Sequence, residues 1–188
     1  MVEKIKIAGI AGSLRKGAYS KAVLNAAKEL APEGTDFEIC GIEDIPPFNQ
    51  DMEGNMPNSV KEVKAKLMAA DAIVIVTPEY NFSFPGVLKN AIDALSRPEG
   101  GKSANPFDSK PLAIMSNSPY MLGGSRAYYQ LRQVFVYLNA NVLNRPEVII
   151  PFVNDKLDKE GRLSDEATRE HIKKQLEALV QAVRKKSA

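Results

Sequence analysis

The chain has 188 residues, of which 44% are hydrophobic and 26% are charged, and this composition predicts one globular domain over residues 1–188. Its 25 Lys and Arg residues against 23 Asp and Glu residues give a net charge of +2, an excess too small to predict a nucleic-acid or membrane partner. The single cysteine, Cys40, excludes an intramolecular disulfide, and the single histidine, His171, has no Cys or His at ligand spacing, so no metal site is predicted.

The compartment and the state of the cysteine are also predicted from the sequence. No apolar segment at the N-terminus is long enough for a signal peptide or a membrane span, so we expect a cytoplasmic protein. Cys40 ends the alternating run FEIC, which favours a packed strand residue over a nucleophile.

The periodicity of apolar residues predicts alternating strands and helices along the chain. Strands are predicted over 4–12, 36–40, 72–76, 111–116 and 142–150. Helices are predicted with buried faces at Val23, Ala26, Ala27 and Leu30; Val60, Val63 and Leu67; Val87, Leu88, Ala91, Ile92 and Leu95; and Ile172, Leu176, Leu179, Val180 and Val183. A further helix is predicted near 127–138. The run 72–76 is apolar at every position, as in a strand covered on both faces. Five βα units predict an α/β fold with a doubly wound parallel sheet, whose ligands bind beyond the carboxyl ends of the strands.

The loop after the first strand, AGSLRKGAYSK at 11–21, has the composition of an anion site. Gly12 and Gly17 permit backbone conformations that expose N–H groups, and a helix N-terminus follows. Ser13 and Ser20 add hydroxyls, and Arg15 adds a guanidinium. The alternative is that Ser20 only caps the helix and that Arg15 is solvated. The loop has neither the residue spacing of a Walker A loop nor that of a dinucleotide fingerprint, so a phosphomonoester is favoured as its ligand.

The loop after the third strand, TPEYNFSFPG at 77–86, combines aromatic, amide, hydroxyl and proline side chains. These residues are Pro78, Tyr80, Asn81, Phe82, Ser83, Phe84 and Pro85. The aromatics provide flat apolar surface, the polar groups provide uncharged hydrogen bonds, and the prolines stiffen the loop. Together they favour a flat heteroaromatic ring with polar edges. The alternative is that the aromatics belong to the core and the prolines only turn the chain.

Three segments together resemble a known family. They are GSLRKGAYS at 12–20, TPEYNFSFPGVLKNAIDALSRP at 77–98 and LGGSRAYYQLRQVFVYLNANVLNRPE at 122–147. In this order and at these separations they resemble the NAD(P)H-dependent FMN reductases, and within them the soluble quinone, chromate and azo-dye reductases. The resemblance extends from about residue 5 to about residue 180. It implies a flavodoxin-like fold with strand order 2-1-3-4-5, noncovalently bound FMN, and NAD(P)H as co-substrate.

The resemblance also implies positions for the cofactor. Ser13, Arg15 and Ser20 would lie at the phosphate. The isoalloxazine would lie beside Pro78, Glu79, Tyr80 and Asn81, partly through backbone groups, with Ser116, Asn117 and Ser118 near the other side of the ring and the ribityl chain. No residue is assigned as a catalytic acid, base or nucleophile, because the cofactor carries the chemistry. Glu79 is expected to be a solvated or structural loop residue rather than a proton donor.

The sequence departs from the family pattern at two places. In the first loop Ala18 stands where the family usually has a serine, and Ser20 stands where it has an asparagine, so one expected phosphate hydroxyl is missing. In the loop after the fourth strand Tyr120 replaces a usual glycine. Its ring could stack on the flavin, narrow the substrate site or lie at a subunit boundary, and the sequence leaves these three open.

The function that the resemblance implies is hydride transfer from NAD(P)H, through bound FMN, to small-molecule acceptors by a ping-pong mechanism. Quinones, chromate, azo compounds and free flavin are the acceptors expected, and the choice between NADH and NADPH stays open. One alternative is a flavodoxin-type electron carrier, which the slightly positive charge disfavours because such carriers are acidic for docking. The other is a flavin-free binding module on the same fold.

The segment 125–143 predicts an oligomer. On a helix, one apolar stripe would contain Tyr128, Leu131, Phe135 and Leu138, whereas Tyr129, Val136 and Tyr137 would lie outside it. Because monomers rarely expose large apolar patches, the second set predicts a homodimer or homotetramer, which is also how the resembling family is built. The alternative is that both sets belong to the core of a thick monomer.

Overall fold

The computed structural model describes residues 4–98 and 105–186 as an alternation of strands and helices. The strands are β1 (Ile5–Ala11), β2 (Thr35–Ile39), β3 (Ala72–Pro78), β4 (Pro111–Asn117), β5 (Asn141–Val142) and β6 (Val148–Ile150). The helices are α1 (Tyr19–Glu29), α2 (Asn58–Ala69), α3 (Gly86–Ser96), α4 (Ser125–Tyr137) and α5 (Glu166–Lys186). Short 3-10 turns lie at Gln50–Met52 and Val153–Lys156.

The strands form a parallel sheet in the order β2-β1-β3-β4-β5, which confirms the predicted doubly wound topology. The predicted fifth strand, 142–150, is divided into two short pieces that both pair with β4. Strand β5 pairs with its beginning, 111–112, and β6 with its end, 115–117. Pro146 lies between the two pieces, and since proline has no N–H it cannot donate a hydrogen bond to the ladder.

Two apolar layers enclose the sheet, and β3 contributes to both. All seven residues of β3 are buried, and the apolar run 72–76 predicts this burial for the first five. Ile73 and Ile75 pack toward α2, α3 and α4, whereas Ala72, Val74 and Val76 pack toward α1 and α5. This alternation follows from the two-residue period of a strand, and it makes β3 the central element of the domain.

The helical faces predicted from periodicity are buried, with two exceptions. Leu30 is half-buried because α1 ends one residue before it. Val87 is 37% exposed, since it lies about a quarter of a turn from the centre of the buried stripe that begins at Leu88.

Cys40 is buried, in agreement with the prediction of a packed residue. Burial, followed by the nearby negative charge of Glu38, raises the pKa of its thiol to about 11. At neutral pH the reactive thiolate is therefore scarce. Neither described range, 4–98 or 105–186, contains a helix long and apolar enough to cross a membrane.

Candidate functional site

A cleft with a volume of about 270 Å³ lies beyond the carboxyl ends of β1, β3 and β4. The strand order reverses here, because β1 continues to β2 on one side and β3 continues to β4 on the other. The cleft is lined by Ser13, Arg15, Ala18, Tyr19, Ser20, Pro78, Glu79, Tyr80, Asn117, Ser118, Pro119 and Tyr120. The three loops predicted to meet at the ligand site do meet.

The hydroxyl groups of the first loop are held inside the cleft wall. Ser13 is 2% exposed and Ser20 is fully buried. Helix α1 begins at Tyr19 with Ala18 as its N-cap, so Ser20 lies in the first turn and does not cap the helix. Across the described residues, the Oγ of Ser20 has no hydrogen-bond partner. Arg15 is exposed, and its guanidinium carbon lies 5.1 Å from the centre of the Tyr19 ring.

Gly12 does not offer a free N–H to the cleft, contrary to the prediction. Its amide donates to the carbonyl of Val76 at 2.8 Å and so belongs to the link between β1 and β3. A Cβ at this position would lie 2.8 Å from Cδ2 of Leu88. The glycine therefore allows α3 to pack closely on the end of β1.

The loop after β3 contains a two-residue hairpin. The amides and carbonyls of Tyr80 and Ser83 bond reciprocally, at 2.8 and 3.0 Å. Between them Asn81 and Phe82 both have positive φ, of 50° and 65°, the signature of a type I′ turn. Asparagine accepts this conformation readily, whereas a phenylalanine does so at a cost in strain.

The aromatic residues of this loop have three different environments. Tyr80 lines the cleft, and its Oη lies 3.2 Å from the Oγ of Ser13. Phe82 is 65% exposed and stands outside the cleft, and Phe84 packs against the core. Asn81, predicted to lie at the isoalloxazine, is exposed at the hairpin tip and does not line the cleft. The core interpretation of the loop is therefore confirmed for Phe84, whereas ring binding stays a prediction that the position of Tyr80 in the cleft allows.

Glu79 differs from the exposed loop residue that the sequence suggested. Its side chain is 11% exposed, and its carboxylate accepts hydrogen bonds from the backbone amides of Arg126 and Ala127 and from the Arg126 guanidinium. The expectation of a structural role agrees with this geometry.

The end of β4 contributes two of the three predicted residues to the cleft. The hydroxyl of Ser116 donates to the carbonyl of Gly123 at 2.9 Å and does not line the cleft. Asn117 and Ser118 do line it. Asn117 donates to the carbonyl of Thr77 at 3.4 Å, while its Oδ1 is buried and, within the described parts of the chain, unpartnered.

Residues that the sequence reasoning did not assign complete the site. Tyr19 and Pro119 line the cleft, and Tyr120, which the sequence left with three possible roles, stands at its edge with 76% of its surface exposed. Arg126 and Gln130 lie behind the hairpin and hold it. Sequence spacing gives no signal for these two, because 47 or 48 positions separate each from its hairpin partner.

One further cavity, of about 370 Å³, lies beside β1, β2 and α2, away from the loops after β3 and β4. A second cavity, between the 46–57 loop and α3, is apolar and about 20 Å³ in volume, which is room for one or two water molecules. The described residues contain no group of three His, Cys, Asp or Glu side chains suited to a metal. His171 places its Nε2 2.6 Å from the backbone carbonyl of Glu147.

Comparison with known proteins gives a consistent result. The sequence model of the NADPH-dependent FMN reductases matches residues 5–155. Over 186 residues, 98% of both chains, the protein is 44% identical to an NAD(P)H-dependent FMN reductase of Pseudomonas aeruginosa. It is 39% identical to the quinone reductase of Escherichia coli K12 over 183 residues, 95% of both chains. Its fold matches FerB of Paracoccus denitrificans, a flavoenzyme NAD(P)H:(acceptor) oxidoreductase, with a TM-score of 0.86 and 30% identity over 96% of this chain and 98% of that one.

Proposed function

We propose that FMN binds in the cleft beyond β1, β3 and β4. The chain belongs to the NADPH-dependent FMN reductase family. Membership of this family makes the chain an NAD(P)H-dependent oxidoreductase with FMN as its cofactor. The position of the cofactor is supported above all by two buried polar atoms, Ser20 Oγ and Asn117 Oδ1. Both residues line the cleft, and neither atom has a partner among the described residues. Because buried polar groups are normally hydrogen-bonded, we expect a polar ligand to bind them.

The phosphate would bind at the first loop. Ser13 and Ser20 place hydroxyls beside the N-terminal turn of α1, whose positive dipole end favours an anion. Arg15 adds an exposed positive charge at the rim. Ala18 lines the same wall without a hydroxyl, so the missing family serine is replaced by an apolar contact.

The ring would bind between the loops that follow β3 and β4. Pro78, Glu79 and Tyr80 line one side, and Asn117 and Ser118 line the other. Asn81 would act through the backbone of the hairpin, and Ser116 would act by fixing Gly123. Tyr120 could cover the ring or narrow the acceptor site from its exposed position at the cleft edge.

The reaction proposed is transfer of a hydride from NAD(P)H to a quinone or another small acceptor in two half-reactions. FMN held in the cleft would supply the redox chemistry, by which a hydride from NAD(P)H and a proton from solvent reach a quinone as two electrons and two protons. The residues that line the cleft would orient the two substrates over one face of the ring, and none of them is assigned an acid, base or nucleophile role. Quinones are the favoured acceptors because curated relatives are named quinone reductases, and chromate, azo compounds and free flavin are further candidates.

The working unit proposed is a homodimer or homotetramer. On α4, the outer residues Tyr129, Val136 and Tyr137 are 50%, 72% and 84% exposed. Val136 and Tyr137 adjoin each other in the chain, and a second copy is the partner proposed to cover them.

Absorbance and turnover test the proposal together. The purified protein, supplemented with FMN and freed of excess, should show flavin absorbance that NAD(P)H bleaches and benzoquinone restores with multiple turnovers. A colourless protein after reconstitution would exclude the flavin site. Bleaching without turnover on a quinone would favour the electron carrier instead.

A further inference from the structure

Helix α4 begins without a capping side chain of its own. Its N-cap residue, Gly124, has φ of +82° and no side chain, and its first turn contains no acidic residue. The first amides of a helix lack partners within the helix and must be satisfied from outside. Glu79, from the loop after β3, provides this cap: its Oε2 accepts from the amides of Arg126 at 3.1 Å and Ala127 at 3.3 Å.

Arg126 extends the same contact back to the hairpin. Its Nη1 lies 3.1 Å from Glu79 Oε1, and its guanidinium carbon lies 4.0 Å from the centre of the Phe82 ring. One turn further along α4, Gln130 donates to the carbonyl of Phe82 at 3.2 Å and accepts from the hydroxyl of Ser83 at 2.6 Å. The first two turns of α4 therefore hold the hairpin by several contacts, and the pair of Glu79 and Arg126 is the charged contact among them.

These contacts join the two walls of the cleft. One wall is the loop after β3, which carries Tyr80. The other is the loop 118–124, which leads directly into α4. The end of that loop is packed against β4, because a Cβ on Gly124 would lie 3.2 Å from the carbonyl oxygen of Asn117. A shift of α4 relative to the hairpin would therefore change the distance between Tyr80 and Asn117.

We propose that Glu79 is a positioning residue whose carboxylate sets the width of the flavin cleft by capping α4 from the opposite wall. Each of its oxygens already accepts at least one hydrogen bond from α4, so the carboxylate is occupied in this contact rather than directed at a ligand. The bonds are charge-assisted and the side chain is 11% exposed, so solvent and salt screen them weakly. The inference rests on the proposed position of FMN in the cleft.

Two substitutions separate the charge from the hydrogen bonds. Glu79→Ala removes both, whereas Glu79→Gln keeps an acceptor oxygen for the amides of α4 and loses the charge that pairs with Arg126. Fluorescence titration of the apoprotein with FMN should show the highest affinity for the wild type, a lower affinity for Glu79→Gln and the lowest for Glu79→Ala. We expect Glu79→Ala to bind FMN about tenfold more weakly, the lower end of the effect of removing an outer-shell partner at metal sites.

The control is a charged cap on another helix. Asp165 accepts hydrogen bonds from Thr168 at the start of α5 and does not line the cleft. Asp165→Ala should lower the unfolding temperature of the apoprotein, as Glu79→Ala does, and leave FMN affinity unchanged. In FMN-saturated enzyme, Glu79→Ala should also raise KM for NAD(P)H more than it lowers kcat, because the geometry of the cleft has changed.

A third variant tests whether Glu79 acts through its contact with Arg126. Arg126→Met should weaken FMN binding in part, and the double variant Glu79→Ala with Arg126→Met should bind no more weakly than Glu79→Ala alone, since the two side chains act as one contact. Wild-type FMN affinity in Glu79→Ala would overturn the positioning role while leaving the flavin site intact. If Glu79→Ala does not fold, the other two variants decide. The positioning role is then overturned if Glu79→Gln and Arg126→Met both bind FMN with wild-type affinity and have the wild-type KM for NAD(P)H. Failure of the wild type to bind FMN would instead defeat the proposed function.

Discussion

The phenolic oxygen of Tyr80 lies 3.2 Å from the hydroxyl oxygen of Ser13, and this contact joins the loop after β3 to the loop after β1 across the cleft. The same Ser13 oxygen also accepts from the amide of Arg15 at 3.4 Å. Ser13 therefore connects the proposed phosphate end of the site to the proposed ring end.

The first prediction compares the two partners of this contact. Ser13→Ala should weaken FMN binding by about 1.5–3 kcal/mol, because it removes a hydroxyl placed to bond a charged phosphate. Tyr80→Phe keeps the ring and loses a neutral hydrogen bond, so its effect should be about 1 kcal/mol or less. Fluorescence titration with FMN measures both. A larger loss in Tyr80→Phe would place the phosphate away from Ser13.

The second prediction concerns Arg15, which lines the cleft at its rim. Arg15→Ala should weaken FMN retention by about 1.5–3 kcal/mol, the range of a hydrogen bond to a charged group, and leave the rate of the flavin-saturated enzyme nearly unchanged. The neighbouring Lys16, which is exposed and does not line the cleft, provides the matched control in Lys16→Ala. Equal FMN affinity in the wild type and Arg15→Ala would remove Arg15 from the site.

The third prediction tests how Asn81 acts. Its φ of 50° suits asparagine and glycine, so Asn81→Gly should retain the hairpin and the rate of flavin reduction. Asn81→Ala should destabilise the hairpin by about 1 kcal/mol and slow flavin reduction measured by stopped flow. Slow reduction in Asn81→Gly, with a shifted flavin potential, would show instead that the amide side chain contacts the ring.

The fourth prediction concerns pH and the cap of α5. Hydrogen bonds from Thr168, and then from Lys156, lower the pKa of Asp165 to about 2. A carboxylate whose pKa is lower in the folded than in the unfolded chain stabilises the fold above its unfolded pKa, and this stabilisation is lost as pH falls toward 2. Asp165→Ala should therefore lower the free energy of unfolding by about 1 kcal/mol at pH 7 and by less at pH 3, measured by urea denaturation. A difference that is equal at both pH values would contradict the role of the charge.

Local periodicity predicts most of this fold, and particular residues show where it stops. The uninterrupted apolar run 72–76 is compatible only with a strand that is covered on both faces, so the sequence predicts β3 as a central strand with helices on either side. Within β4 the two-residue period places Ser116 and Asn117 on opposite faces, but it does not say which face reaches the cleft. The cap that Glu79 provides to α4 depends on the relative position of two loops, which only the assembled sheet determines.

The last prediction is that the protein self-associates through the outer face of α4. The stripe that faces the sheet is fully buried at Tyr128, Leu131 and Phe135, as its periodicity predicts. Val136 and Tyr137 are 72% and 84% exposed, so they do not belong to the core of this chain.

Sedimentation at micromolar concentration should therefore show a species of at least twice the 20.6 kDa chain mass. Val136→Asp should shift it to the monomer, because a carboxylate buried without a partner in an apolar interface is costly. Met68→Asp is the matched control, since Met68 is 48% exposed on α2 and should leave the assembly unchanged. A wild-type protein that sediments only at the monomer mass would exclude the oligomer, and with it any role for Tyr120 at a subunit boundary.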